Sequence, residues 1–206
     1  DNETGNHIRR TQYYVKILAE HLVEEGYYKD ILTQDNIKLL FKSAPLHDIG
    51  KIGIPDKILL KPGKLTPEEF EIMKEHTTIG RDALIAAESL LDVEASFLRF
   101  AREITYSHHE WYNGKGYPQG LAGDEIPLSA RLMAIADVYD ATRCRRVYKP
   151  SKDHKTAVDE ILSEKGTHFD PLIVDAFVKL EKRFEEIAMQ FADFSGSCTE
   201  DEGEAR

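Results

Sequence analysis

The stretch His47-Asp48-Ile49-Gly50-Lys51 puts two metal-competent side chains next to each other, with a lysine four residues after the histidine. Histidine and aspartate bind divalent first-row metals. A lysine one helical turn on could hold a phosphate oxygen beside the ion, so the chemistry on offer is phosphate-ester cleavage. Taken alone, such a dipeptide is more often structural. Consecutive helical residues point about 100° apart. His47 and Asp48 can therefore serve one site only if it spans more than one ion, with Asp48 bridging, or lies at an irregular helix end.

Other candidates lie downstream and upstream. His108 and His109 are adjacent at the end of an amphipathic run. A structural role would have to satisfy two imidazoles side by side, so the pair reads as ligands. Asp137 and Asp140 are embedded in an apolar helical stretch, where a carboxylate is costly unless paired or metal-bound, and Asp137 is the ligand candidate. His76 lies near the apolar set of its own helix, where a satisfied core histidine is the usual explanation. Glu3 and His7, four residues apart, share a helix face and could grip one ion, although the local pattern favours a surface pair in a first turn. His21 reads as structural. Arg143, Arg145, Arg146 and Lys149 form the one dense basic cluster: either a solvated helix end or, beside a metal site, a set of phosphate clamps. Between the histidine pair and Asp137 runs Trp111–Gly123, with four glycines and a proline in thirteen residues. Such a composition specifies backbone geometry, and loops of this length are often functional.

Helices must position these groups. Ile8, Val15, Ile17, Leu18, Leu22 and Val23 mark a first amphipathic helix ending near Gly26, and a second follows Thr33 with Ile37, Leu40, Phe41 and Ala44 as its buried stripe. Gly50, Gly53 and Pro55 close the His-Asp segment. Thr66-Pro67-Glu68-Glu69 combines a capping threonine, a proline at the first helical position and a glutamate three residues after the cap. It opens a helix with Phe70, Ile72 and Met73 inward that reaches His76. Further helices are expected from about Val93 to His109, from Ile126 through Asp140, from Ser151 through Val158, Ile161 and Leu162 to Gly166, and from Asp170-Pro171 to about Phe191. Strand-like alternation and repeats are absent from the sequence. The expectation is one all-α domain over residues 1–194, followed by an acidic, disordered tail over 195–206.

Composition narrows the function classes. A chain of 206 residues with 41% hydrophobic content can bury a real core. It contains no apolar run long enough for a membrane span and no signal-peptide pattern. Two cysteines, Cys144 and Cys198, lack CxxC spacing, so a reducing, cytoplasmic setting is the default. A net charge of −10 argues against long nucleic acid as a partner. A small anionic substrate stays open, because bound metal ions reverse the sign locally.

Together, HDIGKIGIPD, the HHE-x-x-x-G-x-GYP run and IPLxAR followed by AD-x-x-D resemble the HD-GYP family, a subgroup of the HD phosphohydrolases, from Glu3 to about Phe191. The resemblance implies an HD-domain bundle of about seven helices with an extended GYP loop. It implies a phosphodiesterase that hydrolyses a cyclic dinucleotide in bacterial second-messenger signalling. Cyclic di-GMP is the main expectation, cut to a linear dinucleotide and onward to mononucleotides; cyclic GMP-AMP hydrolysis and a catalytically weak receptor module are the alternatives. The implied metal ligands are Glu3, His7, His47, Asp48, His76, His108, His109 and Asp137, holding two or three divalent ions, with iron or manganese ahead of nickel or zinc. Lys51 corresponds to the phosphate-contacting lysine, Gly116, Tyr117 and Pro118 to the GYP loop, and Arg146 and Lys149 to basic substrate contacts. Asp48 and Lys51 carry the catalytic expectation. A receiver domain upstream is expected as partner, and a homodimer is among the assemblies considered. Asn113 stands where the family has aspartate, and Ala141-Thr142-Arg143-Cys144-Arg145-Arg146 departs from the common form of that segment.

Overall fold

The architecture follows from one helix that is apolar on nearly every side. In α6 (Leu128–Arg143), every residue from Leu128 to Ala136 is buried, as are Tyr139 and Asp140. A helix buried all round belongs at the centre of a bundle. The structure is a computed structural model that describes residues 5–91, 96–143 and 153–192. Within these, α1 (Gly5–Glu24), α2 (Gln34–Ser43), α3 (Asp56–Leu59), α4 (Pro67–Leu91), α5 (Ser96–Ser107), α7 (His154–Ser163) and α8 (Pro171–Gln190) complete a set of eight α-helices, with no strand among the described residues. The expected seven thus become eight, the addition being the four-residue α3. None of these helices is long and apolar enough to cross a membrane.

α1 packs against α2, α6 and α8, while α5 lies across α2, α4 and α6. The principal core sits between α1, α6 and α8. Tyr14 stacks on Phe184 with ring centroids 4.4 Å apart, and Tyr139 meets Phe184 edge-on at 5.1 Å. Burying each such side chain stabilises the fold by roughly 1.5–3 kcal/mol. The caps match the sequence signals. The Thr33 hydroxyl accepts the Asn36 N–H at 3.2 Å, Thr66 and Glu69 exchange side-chain-to-backbone bonds at 2.8 and 3.3 Å, and Asp170 accepts from the Leu172 N–H at 2.8 Å.

α4 runs on past His76 to Leu91. Several expectations are corrected. Phe70, expected inward, is 44% exposed and meets the Tyr117 ring edge-on at 6.0 Å. Leu162 is likewise exposed. The segment around His47 and Lys51 is not a regular helical turn. It breaks into two 3-10 helices, Ala44–Leu46 and Ile49–Gly53, with His47 and Asp48 at the joint. α7 starts after its cap Asp153, so Ser151 lies outside the described residues. So do Glu3, Cys144, Arg145, Arg146, Lys149 and the acidic tail.

Candidate metal centre

Two glycines bring the His-Asp joint against α4. A Cβ on Gly50 would lie 1.8 Å from the His76 carbonyl oxygen and 2.5 Å from the Gly80 nitrogen, so the backbones touch there and no side chain fits. This contact sets His76 opposite Asp48. On the other side, α5 ends at Ser107, and the turn after it delivers His108 and His109. α6 contributes Asp137, and the first turns of α1 contribute His7.

The imidazoles share one arrangement. The Nδ1 of His47 lies 2.9 Å from the Ala44 carbonyl, that of His76 2.7 Å from Met73 and that of His108 3.0 Å from Ile104. A carbonyl only accepts, so each Nδ1 carries the hydrogen and donates it, and in the neutral ring Nε2 is left as a lone pair. His7 follows the same rule with a different acceptor, its Nδ1 lying 2.8 Å from Asp140 Oδ2. All four Nε2 atoms converge. His7 and His47 bring theirs to 3.4 Å. Those of His76 and His108 lie 3.1 and 3.6 Å from Asp48 Oδ1, and all three atoms are buried without a hydrogen-bond partner.

Buried lone pairs facing a carboxylate with no proton between them are costly, and a divalent cation resolves them. The residues fit a metal centre on that ground. Two groups have ligand atoms mutually within 4.8 Å: Asp48, His76, His108 and His109 in one, and His7, His47 and Asp137 in the other. Asp48 belongs to the first, but its Oδ2 also lies 3.2 Å from His47 Nε2, so its carboxylate spans both groups. Electrostatics agree. Burial opposes ionisation of Asp48, but positive charge and hydrogen-bond donation from the His47, His108 and His76 side outweigh it and hold the carboxyl well below the usual aspartate range, a part that a cation bound among neutral rings would take over. Burial pushes the His108 pKa down, and burial together with the neighbouring His108 pushes that of His109 well down, which favours the neutral, ligating form.

A cleft of about 290 Å³ opens onto this cluster, lined by Asp48, Lys51, Leu59, Met73, His76, His109, Tyr117 and Asp137. Lys51 Nζ lies 2.8 Å from Asp48 Oδ2. The loop after α5 folds back on its own base. A Cβ on Gly116 would lie 2.2 Å from the Trp111 nitrogen, the Tyr117 N–H donates to the His109 carbonyl at 3.1 Å, and the Tyr117 ring stacks on the His109 imidazole at 4.8 Å. The Tyr117–Pro118 peptide is cis. Asn113 Oδ1 accepts the Lys115 N–H at 3.0 Å, a turn bond an aspartate would make equally.

Of the residues singled out in the sequence, His7, His47, Asp48, His76, His108, His109, Asp137, Lys51 and Tyr117 come together in or beside this cleft. Glu3, Arg146 and Lys149 lie outside the described residues. Three contributors were not recognised. Asp140 was noted as an embedded carboxylate but given no role. Arg10, 1% exposed, sits three residues after His7 on the same helix face, a charge within an apolar stripe that could have been noticed. Glu110, 2% exposed, accepts the N–H groups of Gln119, Gly120 and Leu121 at 2.7, 3.1 and 3.1 Å. Burial raises its pKa against those three bonds.

The chain belongs to the HD domain family, which matches residues 10–173. It is 56% identical over 193 residues to a cyclic di-GMP phosphodiesterase of Vibrio cholerae, covering 94% of this chain and 39% of that protein. It is 46% identical over 187 residues to a cyclic di-GMP phosphodiesterase of Thermotoga maritima, covering 91% and 47%. The chain thus spans less than half the length of these curated relatives. A crystal structure described as a cyclic GMP-AMP specific phosphodiesterase of Vibrio cholerae shares the fold, with a TM-score of 0.57 at 20% identity, over 90% of this chain and 48% of that one.

Proposed function

We propose that this domain is a metal-dependent phosphodiesterase of the HD-GYP type that opens a cyclic dinucleotide, with cyclic di-GMP as its substrate. The observation that carries the reading is the convergence of four imidazole Nε2 atoms around the Asp48 carboxylate, which lines, with His76 and Tyr117, an open cleft. The relatives named as cyclic di-GMP phosphodiesterases, at 56% and 46% identity, support the same substrate.

Asp48, His76, His108 and His109 would hold one ion and His7, His47 and Asp137 a second, and Glu3 would serve as a ligand to a third. Mixed nitrogen and oxygen donors favour iron or manganese. When bound, such ions supply Lewis-acid stabilisation of a phosphoryl oxygen and a nucleophile generated from water at neutral pH. The protein side chains do the rest. Lys51 exchanges its Asp48 contact for a phosphate oxygen, adding a donor where negative charge builds up. Leu59, Met73 and Tyr117 form an apolar wall against the nucleoside, and Gly116 and Pro118 fix the backbone that carries Tyr117. Arg146 and Lys149 hold the second phosphate. The product is the linear dinucleotide, open to a second cut at the same site.

The test is direct. Metal-loaded protein is incubated with cyclic di-GMP, cyclic GMP-AMP and nucleoside triphosphates, and the products are separated by chromatography. Linear pGpG from cyclic di-GMP is expected. Turnover of cyclic GMP-AMP alone would reassign the substrate, and tight binding of both cyclic dinucleotides without turnover would make the domain a receptor.

A further inference from the structure

His7 differs from the other ligands in how its ring is held. Its Nδ1–H points to Asp140 Oδ2 at 2.8 Å, and Arg10 grips the same carboxylate with a two-pronged fork, Nε to Oδ1 at 2.6 Å and Nη2 to Oδ2 at 2.9 Å. His7, Arg10 and Asp140 are 5%, 1% and 1% exposed. The fork does not end there. Arg10 Nη1 donates to the carbonyl of Phe191 at 2.7 Å, at the C-terminal end of α8. Around this contact the Phe191 ring stacks on Tyr13 at 5.3 Å, and the Asn6 amide reaches the Ala192 carbonyl at 3.4 Å.

The geometry points to a relay from the end of α8 to the metal centre: we propose that Asp140 and Arg10 are positioning residues that fix the His7 ring as an Nε2 ligand, and that the seating of the α8 terminus sets their hold. A carboxylate behind a metal-binding histidine fixes its tautomer and orientation and raises its basicity. Here the carboxylate is itself oriented by a planar guanidinium, which a lysine cannot imitate. The last anchor is a backbone carbonyl at the end of the last described helix. Both ends of the relay, His7 and Phe191, fall outside the residues matched by the HD domain family, 10–173. The inference rests on the reading that His7, His47 and Asp137 hold an ion, and it assigns that ion a dependence the other ligand group lacks.

Two measurements test it on the whole chain. In metal-free protein labelled with nitrogen-15, the His7 ring should report the Nδ1–H tautomer, and Asp140→Asn should abolish that signature. In manganese titrations, Asp140→Asn should weaken the His7 group about 10- to 100-fold while the Asp48, His76, His108 and His109 group keeps its ion. Asp140→Asn leaves Arg10 buried beside a neutral amide, so Arg10→Lys and Phe191→Ala serve as gentler variants, with thermal melts confirming the fold. Both should weaken the same group selectively and by less. Equal loss at both groups, or isotherms matching wild type in all three variants, would overturn the relay. Wild-type protein that binds no ion at either group would sink the proposed function instead, and the tautomer measurement would then decide the relay by itself.

Discussion

His76 and His108 are held by the same chain segments that carry them, each Nδ1 donating to a carbonyl three or four residues back, whereas His7 is held by a carboxylate from α6, a guanidinium one turn on and a carbonyl from the end of α8. The first kind of support forms whenever the local backbone forms. The second requires three helices to be docked, and it brings an ionic network into the interior. One cluster of similar candidate ligands thus divides into a robust half and a conditional half, and a long-range effect on the site would enter through the conditional one. Asp48 lies where the halves meet.

Asp48→Ala should have the largest effect, because its carboxylate approaches His47 on one side and His76 and His108 on the other. Turnover should fall to background and both groups should lose metal, since no other carboxylate among the described residues reaches both. Elemental analysis beside a rate assay checks this, and a variant that keeps its full metal content would remove Asp48 from its bridging place.

Gly50→Ala attacks the robust half alone. The added methyl would need to occupy space 1.8 Å from the His76 carbonyl, so the Ile49–Gly53 segment or α4 must shift. Overpacking of this kind costs about 1–3 kcal/mol. The expected result is a lower melting temperature and weaker metal binding at the His76 group, with the His7 tautomer unchanged. A His7 ring that loses its signature as well would show the two halves to be one unit.

The sequence made the robust half legible and the conditional half only partly so. His47 and Asp48 declare themselves by residue type and His108 and His109 by adjacency at a helix end, whereas His76, inside α4, reads locally as a core histidine and joins the set through the family resemblance. The caps at Thr33, Thr66 and Asp170 are visible as local patterns. Asp140 and Arg10 were not assigned, because their meaning lies in a contact across 130 residues that no local spacing encodes. Glu110 was quoted as part of a motif, but its partners at 119–121 become its partners only once the loop has closed. Phe70 and Leu162 misled for the opposite reason. An apolar residue at helical spacing predicts an inward face, yet Phe70 is 44% exposed and meets Tyr117 edge-on at 6.0 Å.

Glu110→Gln gives a smaller effect and asks whether the loop belongs to the robust half. A glutamine offers one acceptor oxygen where the carboxylate offers two, so part of the Gln119–Leu121 amide set loses its partner, at a cost of about 1–3 kcal/mol. The loop should loosen while His108 and His109 stay in place. KM should rise more than kcat falls, with metal content unchanged. Metal loss in this variant would mean that the loop clamps His109 itself.

The smallest expected effect is a pH response at the loop's far anchor. His168 stacks on Trp111 at 4.6 Å and on Phe169 at 4.1 Å, and its Nδ1 lies 2.9 Å from the Glu164 carboxylate. Its carbonyl accepts the Tyr112 N–H at 2.9 Å, which ties the loop to the turn before α8. Burial lowers the His168 pKa, with Glu164 opposing the shift. The folded state therefore binds this proton less readily than the unfolded chain does. The stability contributed by the packed neutral ring is complete above the ordinary histidine value of about 6.5, and it is lost as pH falls through the lowered folded value. Trp111 is the single tryptophan of the chain, so its emission reports the anchor directly. Acidification below about pH 6.5 should change that emission and weaken substrate binding slightly, and His168→Phe should keep the stack and flatten the response. Emission from wild-type protein that stays constant through this range would show that the charge state of His168 does not reach the loop, which its backbone bonds and Glu110 then hold at any pH.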